Sequence, residues 1–367
     1  ICCFSGGGIL VELLDFLTPS DEISANGGPE DHVVLSSRVR LARNISGVPF
    51  PGRAKKSSRE ESCEAIRPSV SGASAMRGGF SSGMGDLKAL DKQLLVERHL
   101  ISREHAAKGG GSALVLNKDE TLSVMVNEED HLRMQALLPG MQIKQVWQKI
   151  DRFDTSLEKK LEYAYDASYG YLTACPTNLG TGIRVSAMLH LPGLVLTDQV
   201  NQIVQAVTKL GHAVRGLYGE GTEALGHIFQ VSNQMTLGES EADIIERIHK
   251  VVLQIIEHET NARGTLQQGK PKELFNHIGR AYGALANAHI VSSKESMNQL
   301  SLIRLGVKLG MFDELKTSVV DELFLITQPA HLQQLVGEKL SGEERDVHRA
   351  DLLRTRLSGV QGPQMSE

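Results

Sequence analysis

From Ser240 onward the chain carries no stretch with the period-two alternation of a strand, whereas residues 32–233 carry several. That change of period limits the fold more than any other feature, because side chains alternate every second residue in a sheet and every 3.6 in a helix. "HVVLSSRVRLARN" (32–44) reads as a strand, and "SALVLNKDETLSVMVN" (112–127) as a hairpin around the polar turn Asn117–Thr121. "YGYLTACP" (169–176) reads as a strand cut off by Pro176, and "HAVRGLYG" and "HIFQVSN" as two more. Between them, residues 90–102, 142–165 and 198–211 have helical spacing, the last with Asp198 near its start and Gly211 past its end. A long helix is expected from Ser240 to about Arg263, with Ser240 and Asp243 in a weak capping-box pattern.

After "GTLQQGKP" (264–271) the remainder is helical in pattern. The expectation is an α+β body over 32–265, preceded by a leader or loop over 1–31, and a smaller all-helical domain over 272–357. One segment resists this division. Residues 51–85 are rich in Ser, Gly, Arg and Lys with little apolar periodicity, and read either as a disordered insert or as an ordinary segment whose sequence is garbled.

A chain of 367 residues with net charge −5 gives no global reason to expect nucleic acid or an anionic membrane as partner, so any anion site must be local. The four cysteines, Cys2, Cys3, Cys63 and Cys175, form neither a disulfide framework nor a CxxC zinc pair, which makes a reducing cytosol the default. The opening apolar run lacks a basic n-region and is interrupted by Glu12 and Asp15, so it reads as neither signal peptide nor membrane span.

Arginines recur at strand ends and glycine-rich turns: Arg38, Arg40 and Arg43 in "SSRVRLAR", Arg133 in "EEDHLR", Arg184 in "GTGIR" and Arg215 in "VRGLYGEG". Positions 38 and 40 of a strand share a face, so two guanidiniums emerge side by side. Guanidinium forks onto phosphate oxygens, and a cluster could hold a triphosphate where no GxxxxGK[ST] loop exists. In "YLTACPTNLGTGIR" (171–184), Thr177 and Arg184 could hold Cys175 as a thiolate against a cationic substrate. "VNEEDHLRM" sets three consecutive acids beside a histidine and an arginine.

The order and spacing of "SSRVRLAR", "NEEDHLR", "CPTNLGTGIR" and "GEGTEA" resemble the phosphagen (guanidino) kinases. "VNEEDHLRMQALLPG", "LTACPTNLGTGIRVSAMLHLPGLVLT" and "YGEGTEALGHIFQVSNQMTLG" are more closely similar to the bacterial protein-arginine-kinase branch, over about His32 to Arg356 apart from 51–85. The resemblance implies a glutamine-synthetase-like catalytic domain, an antiparallel sheet flanked by helices, that transfers phosphate from ATP with Mg²⁺. It implies Glu129 as the base, Cys175 against the guanidinium, and Glu223 or Glu220 as a second carboxylate. It implies nucleotide contacts from Ser36, Ser37, Arg38, Val39 and Arg40, from His99 and Arg133, from Arg184, Val185, Ser186, Ala187 and Met188, and from Arg215, Gly216, Leu217, Tyr218, Gly219 and Glu220.

Tyr218 stands where small-molecule members of the family carry Arg in "RGEHTE", which matches the protein-directed branch and leaves Arg215 as the fifth phosphate contact. Only 35 residues precede Ser36, too few for the helical domain that encloses the substrate in small-molecule members. The expected substrate is therefore arginine on a protein. The alternatives are a kinase of free arginine and a non-catalytic phospho-arginine-binding adaptor. "ERDVHRADLLR" (344–354) resembles an RDxxRA motif in which Arg345, Asp346 and Arg349 form an allosteric phospho-arginine pocket. A homodimer, an activating adaptor, a Clp-type unfoldase-protease and a cytoplasmic location are implied as well.

Overall fold

The computed structural model describes Leu13, residues 27–216 and residues 224–365. Ten strands and twelve α-helices are described. The strands are β1 (Val34–Arg43), β2 (Phe80–Gly83), β3 (Ala113–Leu116), β4 (Leu122–Val126), β5 (Leu132–Pro139), β6 (Tyr165–Asp166), β7 (Gly170–Tyr171), β8 (Ile183–His190), β9 (His212–Gly216) and β10 (Ile228–Asn233). The helices of the body are α1 (Lys56–Ser71), α2 (Ala89–Glu97), α3 (Arg103–Ala106), α4 (Ile143–Glu158), α5 (Pro192–Leu196), α6 (Val200–Lys209) and α7 (Glu241–Gly269). Those of the C-terminal unit are α8 (Pro271–Asn287), α9 (Ser293–Lys308), α10 (Thr317–Ile326), α11 (Pro329–Val336) and α12 (Gly342–Leu357).

Eight strands form one antiparallel sheet in the order β2-β3-β4-β5-β1-β8-β10-β9, and β6 and β7 make a small hairpin of their own. Alternation sorts β1 cleanly: Val39 and Leu41 are buried in the core, while Arg38 and Arg40 face the other way. Helices α4 and α7 cover the core face. Val146, Ile150, Phe153 and Leu157 of α4 and Ile244, Ile248, Val252 and Ile255 of α7 recur every three to four residues and meet Val185, Ala187, Leu189 and Val231. On the opposite face, among the described residues, Leu95, Leu100 and Ile101 pack on Leu114, Leu116 and Met125 at one end.

A second core joins the end of α7 to α8, α9, α10 and α12 through Leu266, Leu274, Ile278, Leu300, Ile303, Leu323 and Leu353. Among the described residues no helix is long and apolar enough to cross a membrane.

The segment 51–85 is not a disordered insert. It folds as α1 and the edge strand β2, with Cys63, Ile66 and Val70 of α1 buried. Those three stand at i, i+3 and i+7, a sparse helical stripe outnumbered by the solvated Ser, Glu and Arg around it. Arg67 further anchors α1 to β2 by donating to the Ser81 hydroxyl and carbonyl, both at 2.9 Å. Three boundaries also shift. Helix α7 runs through "GTLQQG" to Gly269, so the two units meet at a helix corner at Lys270 and Pro271 rather than in a linker. Helix α2 stops at Glu97, because His99 takes a left-handed φ of 59°. Of residues 169–176 only Gly170 and Tyr171 are strand; the rest is held by side chains, as described next.

Candidate active site

The open face of the sheet gathers the arginines. Arg40 of β1 lies directly opposite Arg184 of β8, and Arg38 lies opposite Ser186. Arg133 pairs across from Ala42, and Arg215 across from Gln230. Like charges facing each other across a ladder destabilise it unless an anion intervenes. Among the described residues the one carboxylate paired with any of these five guanidiniums is Glu128, at 2.7 Å from Arg133. Arg38 donates to Gln230 at 2.5 Å and Arg184 to Ser232 at 3.3 Å, both neutral acceptors. The buried Nε atoms of Arg40 and Arg184 have no hydrogen-bond partner among the described residues.

Burial, then Arg133 and Arg184, push the Arg38 guanidinium down to about 10. Burial and the neighbours Arg38, Arg133 and Arg184 push Arg40 further in the same direction. Arg184 is lowered by burial, then by Arg215 and Arg133. Guanidinium holds its proton nonetheless, so the face carries concentrated positive charge inside a chain of net charge −5.

A small pocket beside Arg38 is lined by Ser36, His99, Leu137, Ser186, Met188 and Gln230. Burial, then Arg38, hold the His99 imidazole at about 4, so it is neutral near pH 7. The side chains of Ser37, Val39, Val185 and Ala187 do not reach this face. They are almost fully buried: Ser37 donates to the Gly140 carbonyl at 2.7 Å, and the other three lie in the core. Any contact these four make with a nucleotide is through the backbone, as strand alternation requires. Arg43 obeys the same rule: its guanidinium lies on the core face, paired with Asp154 at 2.7 Å and stacked 3.6 Å over the Tyr171 ring.

The acids of "NEEDHLR" take three different roles. Asn127 starts the turn with a left-handed φ of 56° and donates to the carbonyls of Arg59 and Gly111, at 2.9 Å and 2.8 Å. Glu128 is buried and accepts from Ser102 at 2.7 Å and from Arg133. Burial raises its pKa, but Arg133 and the Ser102 hydroxyl more than offset this and hold it below the ordinary glutamate value. Asp130 is buried too, accepting from Asn44 Nδ2 and from the Ala174 backbone N–H, both at 2.6 Å. Neither flanking acid is solvated. Glu129 between them is exposed, and its carboxyl is raised by partial burial and then by Asp130 and Glu128. His131 accepts from the Ile45 backbone N–H at 3.2 Å and is held neutral by burial, at about 4, which makes it a structural residue.

Asp130 thus ties the turn of Glu129 to the loop of Cys175. The Cys175 Sγ lies 3.0 Å from the Thr177 hydroxyl, and Thr173 donates to the Cys175 carbonyl at 2.8 Å. Thr236 donates to the carbonyls of Thr177 and Leu179, at 3.0 Å and 2.6 Å. Gly170 and Gly180 close the base of the loop, both with positive φ. A Cβ at Gly180 would lie 2.5 Å from the Thr236 carbonyl oxygen, so no larger residue fits. Gln230 and Asn44 are the residues sequence reasoning missed. Gln230 was within reach, since it shares strand parity with Ser232 beside the arginine face; nothing in the sequence marks Asn44.

Leu217, Tyr218, Gly219, Glu220 and Glu223 lie outside the described residues. Gly216, the last residue of β9, pairs with Phe229. In the helical unit, Arg349 is buried and donates to the carbonyls of Thr327 and Val291, both at 2.8 Å, and to Asp346. Arg345 donates to the Leu340 carbonyl at 3.0 Å. The three residues are therefore adjacent, some distance along the chain from the arginine face.

Residues 69–262 match the family model of the ATP:guanido phosphotransferase C-terminal catalytic domain, and residues 271–367 that of the protein-arginine kinase McsB C-terminal domain. The chain is 45% identical to the protein-arginine kinase of Halothermothrix orenii over 91% of this chain and 95% of that one. It is 46% identical to that of Moorella thermoacetica, over 90% and 96%. Among solved structures it is similar to a lombricine kinase, with TM-score 0.57 and 25% identity over 67% of this chain and 71% of that one. A duplicated taurocyamine kinase from Schistosoma mansoni shares the fold, with TM-score 0.58 and 24% identity over 78% and 41%.

Proposed function

The chain belongs to the protein-arginine kinases, within the ATP:guanido phosphotransferases, and from that premise we propose how its residues carry out phosphoryl transfer to arginine. It is an ATP-dependent kinase acting on arginine side chains of proteins. Arg38, Arg40, Arg133, Arg184 and Arg215 hold the triphosphate and neutralise the charge that spreads over the transferred group. A guanidinium has a pKa above ~12, so it attacks only as it gives up a proton. Glu129 takes that proton while the guanidino nitrogen bonds to the γ-phosphorus and the bond to the bridging oxygen breaks, releasing ADP. Its raised pKa makes it a better base than a free glutamate. Cys175 faces the same cation, and Glu220 or Glu223 grips its remaining nitrogens.

The observation that carries this assignment is Asp130, whose carboxylate holds the Cys175 loop against the Glu129 turn, three residues from Arg133 of the clamp. With ATP and an arginine-rich protein the wild type is expected to form acid-labile phosphate. Glu129→Gln should lower that turnover by about 10³-fold while ATP binding persists. Turnover near the wild-type rate would remove Glu129 as the base. Free arginine offered in place of protein should be a poor substrate; equal turnover would return the chain to the small-molecule kinases.

Mg²⁺ fits this face as part of the nucleotide complex. The clamp offers guanidiniums and one committed carboxylate, and among the described residues no group of three or more His, Cys, Asp or Glu could hold a metal. The ion's contribution when bound is to offset phosphate charge. A homodimer formed through the helical unit is supported by Ile290 and Val347, exposed at 68% and 40% and brought together by the Val291–Asp346 backbone bond. Arg345, Asp346 and Arg349 form the phospho-arginine pocket of that unit. The phosphorylated proteins then pass to a Clp-type unfoldase-protease in the cytoplasm, with an activating adaptor as a further partner.

A further inference from the structure

Where α2 ends, three consecutive residues tie the body to its surroundings. Glu97 reaches the helical unit. Its carboxylate accepts from the backbone N–H groups of Ala330 and His331, at 2.7 Å and 3.0 Å, and from His331 Nδ1 at 2.7 Å. These donors belong to the first turn of α11, whose leading residue Pro329 has no N–H to offer. A carboxylate there also meets the positive end of the helix dipole. Arg98 pairs with Glu120 at 3.0 Å, and its Nε lies 3.3 Å from His331 Nε2, so His331 is gripped from both sides.

His99 follows in its left-handed conformation, which a non-glycine residue holds only when its surroundings enforce it. Its carbonyl accepts from Gln135 Nε2 at 2.7 Å, and its ring lines the pocket beside Arg38. A cavity of about 700 Å³ opens from that pocket along the seam between the units, with Glu97, Arg98 and His99 on one wall and Phe324 and Gln328 on the other.

We propose that Glu97 is a positioning residue of the nucleotide site: by capping α11 it makes the docked helical unit fix the turn that presents His99, so that ATP affinity depends on that unit. The inference rests on His99 belonging to the nucleotide side of the site. Because the Glu97 carboxylate borders α11 and touches no atom of the arginine clamp, its removal acts on binding before chemistry.

The test is steady-state kinetics on the full chain with ATP and a protein substrate, comparing wild type with Glu97→Ala, Glu97→Asp, His331→Gln and His99→Ala. Glu97→Ala is expected to raise the ATP KM by roughly 3- to 10-fold, the size typical of positions that act through a neighbour. Its kcat and protein-substrate KM should stay within about two-fold of wild type, and Glu97→Asp should recover most of the affinity. Glu97→Ala combined with His331→Gln should be no worse than Glu97→Ala alone, as expected of two ends of one contact. Should Glu97→Ala fail to fold, Glu97→Gln, which keeps an acceptor for the α11 donors, is judged by the same split between KM and kcat. An unchanged ATP KM in the Glu97 variants, with a raised one in His99→Ala, overturns the inference and leaves the nucleotide site standing. An unchanged ATP KM in His99→Ala overturns the placement of the nucleotide and the inference with it. A fall in kcat and melting temperature at constant KM marks Glu97 as merely structural and also overturns it.

Discussion

Arg40 and Arg43 leave the same strand three residues apart and have opposite surroundings. Arg43 points into the core face, where Asp154 pairs with it, Tyr171 stacks under it and the carbonyls of Ala42 and Thr181 accept from it, both at 2.9 Å. Arg40 points to the open face, opposite another arginine, with a buried Nε that has no partner among the described residues. Two other buried arginines follow the first pattern. Arg263 is matched by Glu259 at 2.6 Å and Arg304 by Asp321 at 2.6 Å. The difference separates arginines that complete the fold from those proposed to hold the triphosphate. Charge compensation distinguishes them.

The contrast can be broken most forcefully at Arg40. Arg40→Ala should cut phosphotransfer by about 10²- to 10³-fold, without a loss of melting temperature, because removing one of several crowded cations relieves repulsion. Pyrophosphate should raise the melting temperature of the wild type and do so less in the variant, since binding to the native state alone stabilises it. A sharp loss of stability in Arg40→Ala would place it with Arg43 instead. Arg43→Ala should show the reverse, losing about 3–5 kcal/mol in denaturant unfolding because Asp154 is left buried and unpaired. Arg215→Ala, at the exposed rim of the clamp, should cost less than Arg40→Ala, about ten-fold in kcat/KM.

The smallest effect is in pH. As the proposed base, Glu129 must be ionised, and partial burial followed by Asp130 and Glu128 raise its pKa. The acid limb of kcat/KM therefore lies above the ordinary glutamate value, with activity lost as pH falls through it. Asp130→Asn, which keeps an acceptor oxygen for Ala174 and Asn44, should move that limb to lower pH. A limb that stays put would show that Asp130 acts on Glu129 by geometry alone.

Much of this was legible in the residues. Period-two spacing put Arg38 and Arg40 on one face, and the break at "GTLQQGKP" (264–271) marked off the helical unit. What failed did so for local reasons. Helix α1 hides a three-residue apolar stripe among solvated side chains. The strand expected over 169–176 dissolves because Asp130 and Thr236, distant in sequence, supply the hydrogen bonds that a neighbouring strand would have given. The resemblance singled out Glu129, but how Glu128 and Asp130 are held was not legible in sequence, since only the fold shows which carboxylates are already engaged.

The hydrogen bond from Ala174 to Asp130 has a consequence for how such a site could diversify. The proposed base and thiol are fastened to one carboxylate, so their separation behaves as a fixed gauge across any change of substrate. New specificity has to come from the walls, where the exposed Tyr165, Tyr169, Met235 and Leu237 flank the Cys175 loop. Variation at those four positions should redirect which proteins are modified, while the gauge keeps the target a guanidinium.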